Sequence, residues 1–298
     1  PSGTAAAMTA MLTNSGADLF QFLNGETSLG AGNRINGVAA KQGGTGQNGN
    51  GINVFRAGDV LVSANRIADC AFSAVRANSA SNVQIIANNA VRMGEVAIYA
   101  EFAFEGAVIA GNIIDGATTG ISVTNFNEGG RLATVQGNVV RNIGQRKGEP
   151  TTSGFGIAVE ADTAVSGNTI ERAGTAGVMI GWGRFARQVA ATGNVIRQAP
   201  VGIGITSDPG AGAVLVASNM IAGASAGAMR IASSPSAASP THSNSRSARI
   251  IEARPWRIIG WSSMTKTRIG CRPASWWTLL LRSAMERSSA WLPLWLPV

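Results

Sequence analysis

Gly111-Asn112-Ile113-Ile114, Gly137-Asn138-Val139-Val140, Gly167-Asn168-Thr169-Ile170 and Gly193-Asn194-Val195-Ile196 repeat one phrase, small–Asn–x–Ile/Val. Further copies are Gly32-Asn33-Arg34-Ile35, Ala64-Asn65-Arg66-Ile67, Asn88-Asn89-Ala90-Val91 and Ser218-Asn219-Met220-Ile221. Taking Asn89 in the third copy, the Asn-to-Asn steps are 32, 24, 23, 26, 30, 26 and 25 residues. A second phrase, Gly-hydrophobic-x-hydrophobic, recurs as Gly51-Ile52-Asn53-Val54, Gly120-Ile121-Ser122-Val123, Gly156-Ile157-Ala158-Val159, Gly177-Val178-Met179-Ile180 and Gly202-Ile203-Gly204-Ile205. Glu95-Val96-Ala97-Ile98 is a variant without the glycine. A third apolar run, such as Val83-Gln84-Ile85-Ile86, leads into each Asn.

Each unit therefore reads as three short strands of alternating pattern. Strand one is the Gly-Ile phrase, strand two leads into the Asn, and strand three follows it. One or two residues around the Asn leave no room for a helix and suit a tight bend with Asn or Gly in a left-handed conformation. A fixed period of this kind marks a solenoid. The spacing predicts an all-β, right-handed parallel β-helix of about eight three-strand rungs over residues 18–232, after an N-terminal remnant, 1–17. The Asn side chains are expected to stack along the coil and share amide hydrogen bonds. Longer links such as Asn142–Ser153 are expected as surface loops between strands three and one.

Composition agrees with a solenoid: Gly is 38 of 298 residues, charged residues make up only 13%, and there is one Tyr. Stacked repeats bury their faces against each other and need few long side chains. The net charge of +8 is unevenly placed. Residues 233–298 hold nine Lys+Arg against two Asp+Glu, while residues 1–232 hold 15 against 14. The repeats are near neutral, which argues against a nucleic-acid partner. Two cysteines, Cys70 and Cys271, give no disulfide framework. No apolar run is long enough for a transmembrane helix. The chain starts at Pro1 without a basic segment or apolar core, so an export signal, if there is one, is expected to have been removed or to lie outside this chain.

The repeat stops near Ile231. Six of the seven tryptophans follow it, and no Asp occurs after Asp208. This irregular tail, 233–298, has the composition of a GC-rich gene read out of frame, with a wrongly joined frame near 229–235. The alternative is an amphipathic appendage that caps the coil.

Three segments carry a resemblance to a known family: residues 43–56 (Gly43 to Arg56), Phe102 to Ile109, and Ser122 to Leu132. Over roughly residues 30–230 the chain resembles the twin-arginine-translocated repeat proteins of uncharacterised function, exported β-helix proteins of bacteria. More distantly, the rung pattern is similar to that of pectate-lyase-like carbohydrate enzymes. The resemblance implies export to the periplasm or beyond, and for lyase-like relatives an Arg base beside carboxylates that hold Ca²⁺. No other cofactor is suggested.

Chemistry has few carriers. The only histidine, His242, lies in the tail, so the repeats hold no Ser-His-Asp, Cys-His or His-metal site. Cys70, in an apolar segment, reads as a core residue. Aligning the strand-one phrases puts Glu101, Asp162 and Asp208 in one outward file, two rungs apart each time. Two rungs is about 9–10 Å, near the upper limit for an inverting pair of carboxylates. Glu101, Asp162 and Asp208 are therefore the candidate catalytic acids, and Tyr99 and Glu160 fall in a neighbouring file. Asn125, Trp182 and Arg184 on adjoining loops complete the candidate substrate-binding set, Trp182 as a sugar-stacking ring between two glycines. These residues suit an extended polysaccharide, bound or processed; an enzyme here would be lyase-like or glycoside-hydrolase-like. The alternative is a non-catalytic scaffold that binds a protein partner in the cell envelope.

Overall fold

The computed structural model describes residues 12–13, 21–23, 28–40, 48–124, 130–150, 152–232 and 250–251. They form a right-handed coil of three parallel sheets, each with nine strands among the described residues. Every pairing between named strands is parallel and joins strands three apart in chain order, which is the signature of a winding sheet. The strand-one sheet runs from Gln21–Leu23 through Val96–Glu101, Thr119–Thr124, Phe155–Val159 and Ala176–Ile180 to Gly227–Ala232. A single 3₁₀ turn, Gly183–Phe185, is the only helical element among the described residues. None of them forms a helix long and apolar enough to cross a membrane. Two short pairings lie outside residues 18–232: Leu12–Thr13 against Ile35–Asn36, and Ile250–Ile251 against Val214–Leu215. The rest of 233–298 lies outside the described residues.

Inward side chains stack in files. Ile52, Val75, Ile98, Ile121, Ile157, Val178 and Ile203 are in register and buried. Ile67, Ala90, Ile114, Val140, Ile170 and Ile196 form the matching file on the strand-three sheet. The glycine of the Gly-Ile phrase is where these two files come closest. A β-carbon at Gly156 would lie 2.5 Å from Ile170 Cγ2 and 2.6 Å from the Gly177 carbonyl. Two rungs carry Ala74 and Ala97 at this position, and in the turn of Ala74 the facing residue is the small Ala90 in place of Ile.

The corner before strand three is an amide ladder. Each Asn from Asn65 to Asn194 takes its predecessor's backbone N–H and side-chain N–H on Oδ1, and donates from Nδ2 to a strand-two carbonyl and to the next Asn. For Asn138 the four distances are 2.9, 3.0, 3.0 and 2.9 Å, from Asn112 N and Nδ2 and to Ile109 O and Asn168 Oδ1. The ladder runs without a gap from Asn33 to Asn219. Two details differ from the sequence reading. The third member is Asn88, not Asn89, which points to solvent. The left-handed residue is the one before each Asn, so Ala64, Ala87 and Ser218 share with five glycines a conformation that glycine adopts without strain.

Candidate functional site

A groove of about 340 Å³ lies on the outer face of the strand-one sheet. Its floor is one outward file, Tyr99, Ser122, Ala158 and Met179, in successive rungs. The small side chains of Ser122 and Ala158 between two large ones make the depression. Three rung spacings give it a length of about 14 Å. Thr124, Glu160, Gly181 and Trp182 line the side at the strand ends, and Glu95, Thr119, Arg146, Glu149 and Ser153 the side at the strand starts. The second wall comes from the link between Ile143 and Phe155. That link is pinned: Arg146 N donates to Ser153 Oγ at 2.7 Å, Ser153 Oγ to Glu149 O at 2.6 Å, and Gly154 N to Thr118 O at 2.6 Å.

Charge is concentrated here. Arg76 grips Glu101 in a two-point pair, Nε to Oε1 at 2.7 Å and Nη2 to Oε2 at 2.8 Å. Asn78 donates a third bond to Oε1 at 2.9 Å, and Glu101 is only 1% exposed. Arg76 Nη1 also approaches Glu95 at 3.6 Å, and its guanidinium lies 4.9 Å from the Tyr99 ring centre. Arg146 bridges Glu95 at 2.8 Å and Glu149 at 3.3 Å. Thr124 donates to Glu160 Oε1 at 2.6 Å. Burial pushes the Tyr99 hydroxyl well above its ordinary pKa; Glu101, Glu95 and Glu160 add to the shift and Arg76 opposes it.

The file assignment needs correction. Phe55, Asn78, Glu101 and Thr124 pair in register. Glu160 follows Val159, the partner of Val123, and donates its N–H to the Val123 carbonyl, which sets it level with Thr124. Glu101 and Glu160 therefore share a file, two rungs apart, and Asp162 and Asp208 do not belong to it. The cause is the Glu95-Val96-Ala97-Ile98 phrase, in which Ala97, not Glu95, holds the glycine position before the inward hydrophobic residue: Ile98, not Val96, pairs with Ile121. Asp162 sits in a left-handed bend beyond its strand, with Oδ2 3.3 Å from Arg187. Asp208 forms a turn, accepting from Gly210 N at 2.8 Å. Tyr99 is on the floor and Trp182 on the rim, 39% exposed. Arg184 is not a lining residue; the 3₁₀ turn carries it away, with its guanidinium over Phe185. Asn125 lies outside the described residues. Glu95, Arg146 and Glu149 were not picked out from the sequence; the long 30-residue step from Asn138 to Asn168 was the signal that material had been inserted there.

Among the described residues no three His, Cys, Asp or Glu side chains come together as a metal ion requires. Cys70 is buried beneath the turn after strand three, and burial pushes its thiol up to about 12.

The solved structures similar to this chain include the following two. One is a mutant of DFA-IIIase from Arthrobacter chlorophenolicus A6 in complex with DFA-III, at 13% identity and TM-score 0.41, covering 66% of this chain and 46% of that one. The other is a hyperthermoactive exopolygalacturonase from Thermotoga maritima, at 10% identity and TM-score 0.41, covering 61% and 53%. The chain spans about half the length of each, and the likeness is one of fold alone. Comparison with curated protein sequences finds none that matches. Residues 22–196, more than half of the chain, match the family described as the right handed beta helix region, and the chain belongs to that family.

Proposed function

We propose that this is an exported β-helix repeat protein that binds an extended polysaccharide in the groove over Ser122 and Ala158. The observation that carries the reading is the pairing of the exposed ring of Trp182 with the carboxylate of Glu160 and a row of hydroxyls on one rigid sheet face. An aromatic face and fixed polar groups are what a sugar chain needs for stacking and orientation. Binding fits better than cleavage. Glycoside hydrolysis takes two carboxylates with separate roles, one of them able to give up a proton. Glu101 has both oxygens held by Arg76 and Asn78, and Glu95 and Glu149 share Arg146.

The test is a glycan panel probed with the full chain, with and without Ca²⁺. We expect retention of at least one polysaccharide, weakened about tenfold, or about 1.4 kcal/mol, by Trp182→Ala. Absence of binding to every glycan in both conditions would remove the reading. A role for Ca²⁺, expected from lyase-like relatives, would appear as binding lost on chelation. Export through the twin-arginine route, inferred from the resemblance, is tested by cell fractionation of the natural gene product.

One observation favours the scaffold reading. The exposed strand-three face carries a chain of ion pairs, Asp69 with Arg92 and Asp115 with Arg141, which suits recognition of a folded envelope partner. A partner captured equally well by Trp182→Ala and by wild type would support that reading.

A further inference from the structure

We propose that the outer face of the strand-three sheet docks a second copy of this chain, laid antiparallel across it. The inference is independent of the polysaccharide reading, whose groove lies on the strand-one sheet, and it replaces an unspecified folded partner with a definite one. Strand three turns two side chains outward in each rung, so the face carries two files. One reads Ile113, Val139, Thr169 and Val195 in successive rungs, the other Asp115, Arg141, Glu171 and Arg197. The first is largely apolar and open to solvent. Ile113 is 44% exposed, Val139 38%, and Met220, which follows Val195, 66%. These are three of the eight exposed large hydrophobic residues among the described residues, and they share one column of a sheet whose inner face is already packed. An apolar column of this kind marks a contact surface.

The second file says what covers the first. Its charges run negative, positive, negative, positive. Read from the other end the order is inverted, so a reversed copy of the file is its own complement, and a second copy of this chain supplies that reversal. Two like faces that meet about a two-fold axis have two choices for it. An axis along the coil would set the apolar file against the charged one. An axis along the strands keeps file on file and reverses the rungs. Placed between the Val139 and Thr169 rungs, it sets Asp115 opposite the partner's Arg197 and Arg141 opposite the partner's Glu171. Ile113 then meets the partner's Val195, and Val139 the partner's Thr169. The next rung outward sets Val91 against the partner's Ala222. Moving the axis onto the Val139 rung would set Asp115 against the partner's Glu171 and Arg141 against its own counterpart, so the charges fix the register. Within one chain Asp115 pairs with Arg141 at 3.0 Å and Glu171 with Arg172 at 2.7 Å. Those bonds run along the face, so each charge keeps its neighbour and gains an opposite charge across the contact. Six rungs, about 24 Å from first to last, and two files make a small interface. The dimer is accordingly weak, with Kd on the order of 10 µM.

The experiment is sedimentation velocity of the full chain at low salt, from about 1 to about 200 µM. We expect monomer at the low end, dimer at the high end and nothing larger. Arg141→Glu and Glu171→Arg each put two like-charged pairs into the contact and should weaken association at least about tenfold. Mixed in equal amounts, the two variants set acid against base at both positions again and should form a mixed dimer of about wild-type affinity. Neither misfolding nor a defect confined to one chain gives that rescue. Val139→Arg, which tests the apolar file, should stay monomeric throughout. A chain that is monomeric at every concentration, an assembly that grows past the dimer, single variants that associate as wild type does, or a mixture that fails to associate would each overturn the inference. Glycan binding is read on a different sheet, so failure of either reading leaves the other standing.

Discussion

Replacing Asn138 by Ala removes one member from the middle of the amide ladder. Four hydrogen bonds go with it: two that Asn112 donates to Oδ1, and two that Nδ2 donates to Ile109 O and Asn168 Oδ1. Three buried groups then lose a partner, namely the Asn112 backbone N–H, one Asn112 side-chain N–H and the Ile109 carbonyl. Each orphan costs about 1–3 kcal/mol, and Asn168 Oδ1 keeps its bond from the Asn138 backbone, so the loss should be about 3–9 kcal/mol. Asn219→Ala is the control. Asn219 makes the same kinds of bond but is only half-buried in the last such rung, where water can replace them, so its loss should be below about 1 kcal/mol. Urea unfolding followed by far-ultraviolet circular dichroism measures both variants. Hydrogen exchange at the Asn112 amide supplies a local readout, since that N–H loses its acceptor and should exchange faster in Asn138→Ala. Equal losses for the two variants, or an unchanged Asn112 exchange rate, would refute the reasoning.

Arg76→Ala leaves Glu101 buried with only Asn78 as a donor and should destabilise by about 3–5 kcal/mol, whereas replacing both Arg76 and Glu101 by apolar residues should recover much of that; thermal unfolding of the single and double variants checks it. Alkaline stability should fall. The folded state holds the Cys70 and Tyr99 protons more tightly than the unfolded chain, so stability is full below the unfolded thiol value near 9 and declines above it, up to about 12 for Cys70, with a slope approaching about 1.4 kcal/mol per pH unit per group. Urea midpoints measured between pH 7 and 11 test this, and a flat profile above pH 9 would contradict it. Glycines of the two phrases should differ in tolerance. Gly137→Ala meets nothing within 4 Å and pays only the left-handed cost of about 1–2 kcal/mol, as native Ala64 and Ala87 do, while Gly120→Ala brings a β-carbon to 2.4 Å from the Gly156 carbonyl and should be far more damaging in the same melts.

The coil was legible because its two phrases each answer a local steric demand. Asn recurs where an amide must join neighbouring rungs, and Gly recurs where strand one passes close to an Ile of strand three. Legibility failed where a substitution preserved that demand in another form. Ala97 stands in the glycine position of its rung, so the phrase was anchored two residues early. A slip of two keeps every side chain on its proper face, and alternation alone gives no warning of it. The wrong file for Glu101 followed directly. Ala90 in place of Ile similarly hid the ladder role of Asn88. The groove wall was not legible at all, because a loop has no period; Arg146, paired with Glu149 beside it, reaches Glu95 across 51 positions of sequence that only the winding brings together.

The Asn138–Asn168 link has one more consequence. It spans 30 residues and is 2.9 Å long, as is the Asn65–Asn88 link, which spans 23. Contour length and axial pitch are thus independent in this molecule: extra residues are thrown sideways without stretching the stack. Residues 144–154 can accordingly be shortened, lengthened or exchanged as a cassette to reshape one side of the binding surface, while the regular columns beneath continue to set the distance from one rung to the next.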